Sequence, residues 1–435
     1  MNNESLVIFW FRRDLRLDDN AALYHALKSG SKVLPIFIFD KGILEKLAPE
    51  DKRVNFIWQE IVALKKELEL NFKSSIKVFF DFPLNVFSQL YDEFPELNAV
   101  FTNRDYEPEA IKRDKEIYSF LRDKNIELKA YKDQVIFDRR EVLKDNGEPY
   151  TVFTPYMKKW KSLMKPFHLK SYPSFNYGDA FLKFSESNFM GLEELGFKSV
   201  DFEVPSRDIS EEIIENYHLN RDIPGINGTT RLGIHLRFGT ISIRKLARLA
   251  LKKNEKFFNE LIWRDFYQAI LYHFPHTVEK AFRPAYDRIE WEKDERAFKL
   301  WMEGKTGYPL VDAGMRELNE TGFMHNRVRM LVASFLSKHL LLDWRLGEAY
   351  FAEKLLDYDQ ASNIGGWQWA AGCGVDAAPY FRIFNPSIQL KKFDPEHKYL
   401  KKWLPDFASP DYPKPIVDHK FARERALKRF KDALN

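Results

Sequence analysis

The chain has 435 residues, of which 45% are hydrophobic and 30% are charged, a balance typical of a soluble globular protein with at least two domains. The net charge of +4 is too small for a protein that binds nucleic acid over its whole surface, so any nucleic-acid site would be a local positive patch. The single cysteine, Cys373, excludes internal disulfides and iron–sulfur clusters with four cysteine ligands. No apolar run approaches the ~20 residues of a membrane span, and the N-terminus has no signal-peptide pattern, so the sequence predicts a cytoplasmic protein.

The first 137 residues alternate between strand-like and helix-like patterns, which predicts an α/β domain with a parallel sheet covered on both faces. No GxGxxG motif follows the first strand; Arg12-Arg13-Asp14-Leu15-Arg16 stands there instead and is either a phosphate site or a solvated, salt-bridged loop. The predicted strands are Leu6–Phe11, Lys32–Phe39, Ile76–Phe80 and Ala99–Thr102, and the predicted helices are Asn20–Leu27, Arg53–Leu70 and Pro108–Asp123.

The remainder of the chain changes character twice. Residues 138–200 contain scattered prolines and no sustained period, which predicts an interdomain linker on the surface. Residues 201–435 are predicted to form an all-helical domain, so the domain division is 1–137, 138–200 and 201–435. The predicted helices of this last segment include Glu255–His273, Pro309–Leu318, His325–Leu341, Gly347–Leu356 and Lys420–Lys431.

The stretch Asn363–Asn385 concentrates glycine, aromatic residues and one arginine. Gly365 and Gly366 would let the backbone approach a flat partner closely, and Trp367 and Trp369 follow at once. This composition suits an aromatic ligand, a nucleic-acid base, or both. The alternative is a tightly packed helix and loop in the protein core.

Three further segments carry side chains that could bind a ligand or take part in catalysis. The run Gly228–Gly233 offers hydroxyl groups and backbone amides that suit a phosphate, or it is an ordinary capped loop. Glu260, Trp263 and Arg264 lie on one helical turn, where they form either a base-recognition group or a surface salt bridge beside a core tryptophan.

The segment Met324–Met330 places Asn326, Arg329 and Met330 on one side of a helix. A buried Arg329 would need a carboxylate partner, and the alternative is a helix start with solvated charges. No cluster of histidines and cysteines has the spacing of metal ligands, and neither GxSxG nor a P-loop occurs, so no metal site is predicted.

Taken together, these segments resemble the photolyase/cryptochrome family, and most closely the class I cyclobutane pyrimidine dimer photolyases. The family's fold is an N-terminal α/β domain, a long linker and an all-helical domain that holds FAD. The resemblance extends to Pro415-Ile416-Val417 and is carried by Phe9–Leu17, Arg231–Gly239, Glu260–Tyr267, Gly304–Pro309, Met324–Ser334 and Asn363–Pro386.

The resemblance implies a set of FAD contacts. Asp357, paired with Arg329, and Asp359 would contact the adenine and flavin side. Asn363 matches the residue that faces the flavin nitrogen, where photolyases have Asn, plant cryptochromes Asp and insect cryptochromes Cys. Many relatives have Ser at position 233, so Gly233 implies that one phosphate contact is lost or made by a backbone amide. The residues that match the phosphate-binding set are Tyr217, Thr229, Thr230, Arg231, Leu232 and Gly233.

The resemblance also implies a DNA-repair site. Glu260, Asn326 and Met330 match the residues that contact the dimer, with Trp263 and Trp369 as flanking walls. Six-four photolyases have histidines in place of Asn326 and Met330, which argues against that activity. The DNA-backbone set is Arg221, Arg264, Arg327 and Arg382, and the electron-transfer set is Trp367, Trp344 and Trp291.

The expected function is therefore light-driven repair of cyclobutane dimers in UV-damaged DNA, by a monomer. The alternatives are a cryptochrome-type blue-light receptor that signals through a partner, and a nucleic-acid-binding flavoprotein without repair activity. We expect no long signalling tail, because little chain follows Pro415. An antenna in the N-terminal domain would be a folate, a deazaflavin, another flavin, or absent.

Overall fold

The computed structural model describes residues 5–186 and 189–434, and within them the chain forms two compact units. Unit 1 comprises Met1–Asp138, Met164–Asp208 and Leu232–Leu249 in its described part. Unit 2 comprises Arg139–Leu163, Ile209–Arg231 and Ala250–Asn435 in its described part. The two units interleave along the chain, and the division into 1–137, 138–200 and 201–435 stays a prediction.

A five-stranded parallel sheet forms the centre of unit 1. Its strand order is β3-β2-β1-β4-β5, so the chain reverses its winding direction at β1, and β1 is buried along its whole length. The strands are β1 (Leu6–Phe11), β2 (Lys32–Asp40), β3 (Lys77–Asp81), β4 (Leu97–Asn103) and β5 (Glu127–Tyr131). The sequence did not predict β5, because this edge strand is half-exposed and has two charged residues among its five.

Helices connect the strands of the sheet. The side chain of Asn20 caps the first helix by accepting a hydrogen bond from the amide of Leu23, and prolines occupy the first positions of the fourth and fifth helices. These helices are α1 (Ala21–Leu27), α2 (Lys41–Leu44), α3 (Lys52–Phe72), α4 (Pro83–Glu93) and α5 (Pro108–Asp123). The sequence did not predict α4.

The remaining part of the chain is helical, and the predicted fold class, an α/β N-terminal domain with an all-α C-terminal part, is confirmed. Its helices are α6 (Phe153–Leu163), α7 (Glu211–Glu215), α8 (Tyr217–Asn220), α9 (Gly233–Phe238), α10 (Ile243–Lys253), α11 (Glu255–His273), α12 (Glu295–Met302), α13 (Pro309–Thr321), α14 (Asn326–Ser334), α15 (Trp344–Lys354), α16 (Gln360–Ala371), α17 (Pro386–Phe393), α18 (Lys398–Trp403) and α19 (His419–Leu434). A π-helical turn at Phe335–His339 follows α14 directly, so the segment predicted to be helical over His325–Leu341 is helical from Asn326 to His339 but changes from α to π geometry at Phe335. The 138–200 segment was predicted to be irregular, but it contains α6.

The arginine-rich loop after β1 is a buried ion-pair network in unit 1. Arg12 lies 2.5 Å from Asp114, and Arg16 lies 2.6 Å from Asp133. Burial acts to raise the pKa of Asp133, but Arg16 and Arg244 hold it below its usual value. The salt-bridged alternative is therefore correct for this loop, although its charges are buried rather than solvated.

The core of unit 2 is built around tryptophans and phenylalanines. Trp301 is fully buried, and Trp344 and Trp367 are 2% exposed. The ring of Trp301 meets that of Trp367 edge-on, with centroids 6.1 Å apart. Within the described residues, no helix is long and apolar enough to cross a membrane.

Candidate flavin and DNA site

Helix α16 is the element of unit 2 against which α11, α14 and α15 pack. Asp359 caps its N-terminus by accepting a hydrogen bond from Ser362 N at 3.0 Å, and Gly372 ends it in the left-handed conformation. A Cβ atom at Gly365 would lie 2.2 Å from the ring of Tyr267, so the flat partner that this glycine admits is a side chain of α11. The predicted Asn363–Asn385 stretch is thus a packed helix followed by a loop.

Asn363 lies on α16 and is fixed by Glu348 of α15. Its Nδ2 donates hydrogen bonds to Glu348 Oε1 at 3.0 Å and to the Glu348 carbonyl at 3.2 Å. Burial raises the pKa of Glu348, and the hydrogen bonds from Asn363 and Tyr358 act in the opposite direction. The amide orientation is therefore set, because Nδ2 is the only donor that the Asn363 side chain has.

Arg329 of α14 has the carboxylate partner expected for it. Its Nη2 donates to Asp357 Oδ2 at 3.0 Å, and its Nε donates to the carbonyl of Met324 at 2.6 Å. The guanidinium groups of Arg329 and Arg231 both lie over the ring of Phe323, at 5.5 Å and 4.7 Å from its centroid. Two cations are thus held in place beside one aromatic ring.

The predicted phosphate-binding residues lie on two stretches of chain. Tyr217 begins α8, and Thr229, Thr230 and Arg231 are half-buried residues of unit 2. Arg231 has a φ of 52°, which turns the chain sharply. Leu232 and Gly233 belong to unit 1, where Leu232 is the buried N-cap residue of α9 and Gly233 is its first residue.

The predicted dimer contacts lie on α11 and α14. Glu260 and Trp263 are half-buried on α11, whereas Asn326 is exposed at the first position of α14 and Met330 is half-buried one turn later. Trp263 is stacked on Phe153 of α6, with ring centroids 3.6 Å apart and planes 6° apart. This contact fixes the plane of the indole.

Glu260 has an ionic partner that the sequence analysis did not consider. Its Oε1 is paired with Nη1 of Arg221, which is the C-cap residue of α8. Burial raises the pKa of Glu260, and Arg221 acts to lower it. Asp222, next to Arg221, accepts a hydrogen bond from Arg327 Nη2 at 2.5 Å.

The other predicted DNA-contacting arginines are Arg264 and Arg382, and Trp369 is the second predicted flanking tryptophan. Arg264 is half-buried on α11, and Trp369 is half-buried on α16. Arg382 is exposed in the loop after α16, with its guanidinium group 5.9 Å from the centroid of Phe384. Lys338 of the π-helical turn supports this loop by donating a hydrogen bond to the Arg382 carbonyl at 3.1 Å.

The three tryptophans of the predicted electron-transfer set all belong to the unit 2 core. Trp367 lies on α16 and Trp344 begins α15, and both are buried. Trp291 is half-buried, and its ring meets Phe430 of α19 edge-on at 6.0 Å. Trp301, which the sequence did not single out, contacts Trp367 directly.

Unsatisfied polar atoms on the helices around α16 test whether FAD suits this region. Gln268 Oε1 of α11, Ser334 Oγ of α14 and His325 Nε2 are buried and have no hydrogen-bond partner among the described residues. Buried polar atoms are normally paired, so a ligand with many donors and acceptors suits this region. With the arginine–carboxylate pair and the fixed amide of Asn363, the residues present fit FAD.

Asp222, Glu348 and Gln268, like Trp301, were not identified from the sequence. Asp222 is adjacent to Arg221, and that adjacency was a usable signal. Glu348 and Gln268 lie on α15 and α11, and the packing of these helices against α16, which brings both residues to the site, cannot be read from the sequence. Within 5–186 and 189–434, no group of three or more His, Cys, Asp or Glu side chains is placed to hold a metal ion.

Two family models match the chain. The model described as DNA photolyase matches residues 7–174, and the model described as the FAD binding domain of DNA photolyase matches residues 257–410. A deoxyribodipyrimidine photo-lyase from Alkalihalophilus pseudofirmus is 36% identical, and the alignment covers 99% of this chain and 98% of that protein.

Solved structures resemble the chain over its whole length. A class III photolyase from Agrobacterium tumefaciens superposes with a TM-score of 0.85 at 32% identity, covering 100% of this chain and 98% of that one. An archaeal photolyase from Sulfolobus tokodaii with two FAD molecules also gives a TM-score of 0.85, at 36% identity, covering 98% of this chain and 100% of that one. The subclass predicted from the sequence, class I, stays a prediction.

Proposed function

This chain belongs to the DNA photolyase family, and from that premise we propose that it is a light-driven lyase that splits cyclobutane pyrimidine dimers in UV-damaged DNA. The observation that carries the proposal is the full-length likeness to a deoxyribodipyrimidine photo-lyase. It is supported by the position of Glu260, Asn326 and Met330 on two helices that pack against α16.

FAD, when bound, supplies the light-excited electron that splits the dimer. In this proposal Arg329, Asp357 and Asp359 would hold the adenine and flavin side. Asn363 would face the flavin nitrogen, and its amide, held by Glu348, would offer that nitrogen no acidic proton. The residues assigned to the phosphates are Tyr217, Thr229, Thr230, Arg231, Leu232 and Gly233.

The damaged pair of bases must leave the helical stack to reach the site. Trp263, whose plane is fixed by Phe153, and Trp369 would flank the extruded pair. Asn326 and Met330 would contact its edge. Glu260 would donate a hydrogen bond to a pyrimidine carbonyl and stabilise the negative charge that develops there, which its raised pKa favours.

The charged groups around this face would hold the DNA backbone. The guanidinium group binds phosphate through paired hydrogen bonds, and four arginines are assigned to that role. They are Arg221, Arg264, Arg327 and Arg382. Behind the site, Trp367, Trp344 and Trp291 would pass electrons inward from the surface, because an indole can be oxidised transiently.

The finer properties of the enzyme are part of the same proposal. We infer a monomer that works in the cytoplasm and uses no metal ion. A second chromophore in the N-terminal domain would be a folate, a deazaflavin or a flavin. The S. tokodaii photolyase, whose structure contains two FAD molecules, supports the last of these as one choice.

A cryptochrome-type photoreceptor is the second candidate function. The residue at position 363 favours the enzyme, because plant and insect cryptochromes carry Asp or Cys where this chain has Asn. The retention of Glu260, Asn326 and Met330 favours repair in the same way. A flavoprotein that binds nucleic acid without repairing it is the third candidate, and a preference for damaged over undamaged DNA separates it from the lyase.

The role of Glu260 provides a direct test. Glu260→Ala removes the donor to the developing charge, so the repair yield per absorbed photon at saturating lesion should fall, while Glu255→Ala on the exposed start of the same helix should leave it unchanged. Repair should be measured with the flavin chemically reduced, so that photoreduction does not limit it. An unchanged yield in Glu260→Ala would remove Glu260 from the mechanism.

A further inference from the structure

Four charged side chains form a continuous chain across the face of unit 2 that carries the proposed dimer contacts. Glu260 Oε1 is paired with Arg221 Nη1, and Arg221 Nε lies 3.9 Å from Asp222 Oδ1. The same Asp222 oxygen lies 2.5 Å from Arg327 Nη2. The charges alternate in sign, so both arginines are neutralised by carboxylates within the protein.

Aromatic contacts hold the two arginines at the surface. The guanidinium group of Arg221 lies 5.2 Å from the ring centroid of Tyr217, and that of Arg327 lies 4.6 Å from the centroid of Phe393. The side chains of Arg221, Arg327 and Asp222 are 28%, 20% and 42% exposed. Both arginine side chains are therefore partly open to solvent.

Glu260, at one end of this chain of charges, is half-buried, with 32% of its side chain exposed. The groups that act on it electrostatically are Arg221, Asp222, Lys256, Tyr217 and Tyr267, which lie on α11 and on the segment that contains α8. Burial raises the pKa of Glu260, Arg221 opposes that effect most strongly, and Asp222 adds to it. Loss of the Arg221 contact would therefore leave a half-buried carboxylate without the cation that acts to lower its pKa, which favours its protonation.

We propose that DNA phosphates displace Glu260 and Asp222 from Arg221 and Arg327, so that Glu260 is released towards the lesion only when the DNA backbone is bound. The inference rests on the proposed function. Phosphate competes well for the guanidinium group, because it accepts two parallel hydrogen bonds and lies in the concentrated negative charge of the duplex. Asp222 is a positioning residue in this exchange, since it joins the two arginines.

The exchange has two physical consequences. In the free protein the carboxylates repel phosphates and neutralise the arginines, which weakens binding to DNA in general. When Arg221 turns to a phosphate, the half-buried Glu260 loses the cation that acts to lower its pKa, and in this proposal it takes up a proton from solution. DNA binding is therefore linked to proton uptake, and the linkage passes through Glu260.

Titration calorimetry in the dark tests the proposal on the flavin-loaded protein. A thymine-dimer oligonucleotide and its undamaged counterpart are each titrated near neutral pH in two buffers that differ in ionisation enthalpy. We expect net proton uptake with the wild-type protein and none with Glu260→Gln, whose amide supplies an N–H donor in place of the protonated carboxyl group but cannot titrate.

Asp222→Asn removes the competitor from both arginines and should tighten binding to undamaged DNA about two- to five-fold, the range that corresponds to one exposed ion pair. The matched control is Asp406→Asn, which makes the same change of charge beside Arg316, 2.6 Å away, with no member of the four-charge chain as partner. Its affinity for undamaged DNA should stay at the wild-type value.

Two results would overturn the exchange. One is wild-type binding without proton uptake, and the other is equal affinity of Asp222→Asn and Asp406→Asn for undamaged DNA. Because neither light nor repair is used, these results leave the proposed lyase activity intact. Failure of the wild-type protein to bind either oligonucleotide would instead overturn the proposed function and the exchange together.

Discussion

Two consecutive glycines on α16 have opposite surroundings, and they allow the packing around Asn363 to be tested. A Cβ atom at Gly365 would lie 2.2 Å and 2.3 Å from two ring carbons of Tyr267, whereas a Cβ atom at Gly366 has nothing within 4 Å. Ordinary contact begins at 3.4 Å, so α16 and α11 must separate by about 1.2 Å, or Tyr267 must turn, to admit Gly365→Ala.

The expected magnitude follows from comparing the two alanine variants. Overpacking of a core costs about 1–3 kcal/mol, and alanine gains up to about 1 kcal/mol over glycine in a helix. The helix gain is common to both variants, so Gly365→Ala should be about 1–3 kcal/mol less stable than Gly366→Ala. For a domain of this size that difference corresponds to about 2–12 °C in Tm.

The assay is thermal melting of the two purified variants beside the wild-type protein, with flavin content measured from absorbance. Gly366→Ala should melt at or above the wild-type temperature and retain its flavin. Gly365→Ala should melt lower and hold less flavin, because Asn363 lies two residues away on the same helix. Equal melting temperatures for the two variants would refute the close approach of α16 to Tyr267.

Three further predictions concern single residues. Burial, together with Arg329, lowers the pKa of His325 to about 4, so its stabilising contribution is present above about pH 6.5 and is lost as the pH falls towards 4. His325→Asn keeps a capping side chain, and its free energy of unfolding should fall by about 2 kcal/mol less than that of the wild-type protein between pH 6.5 and pH 5. Denaturant titrations measure both profiles, and parallel profiles would contradict the prediction. Trp367→Phe should abolish light-driven flavin reduction but keep repair by the chemically reduced protein, whereas the control Trp403→Phe should change neither activity. Retained photoreduction in Trp367→Phe would exclude Trp367 from the electron-transfer chain. Asn363→Asp places a second carboxyl group beside Glu348, and repulsion between the two raises a pKa of the pair. The Tm of the variant should therefore fall with rising pH more steeply than that of the wild-type protein. A difference in Tm that does not change with pH would contradict the contact between residue 363 and Glu348.

The sequence predicted those elements whose signals are local. The continuous apolar run of β1 and the proline at the start of α5 defined both elements at their observed bounds. β5 was missed because it lies at the edge of the sheet, is half-exposed and has two charged residues among its five. The π-helical turn Phe335–His339 was missed because its apolar and basic residues continue the pattern of α14, and its side chains are buried on all sides by tertiary packing.

The same distinction applies to the candidate site. The pairing of Arg329 with Asp357 could be predicted, because a half-buried guanidinium group needs a carboxylate and the family motif supplied one. Glu260 was considered with Arg264, four residues away on its own helix, but the structure pairs it with Arg221, 39 residues earlier in the chain. Helical periodicity ranks neighbours within one helix, and it carries no information about a partner that another segment brings in.

The measurement that tests the central claim most directly is dimer repair by the purified, reduced protein. A thymine-dimer oligonucleotide should be followed by thymine absorbance under blue light and in darkness. The lyase assignment predicts that absorbance returns only in the light and reaches the value of an undamaged oligonucleotide. Protein that binds flavin and photoreduces it, yet leaves the dimers intact under the same light, would contradict the assignment and favour the receptor.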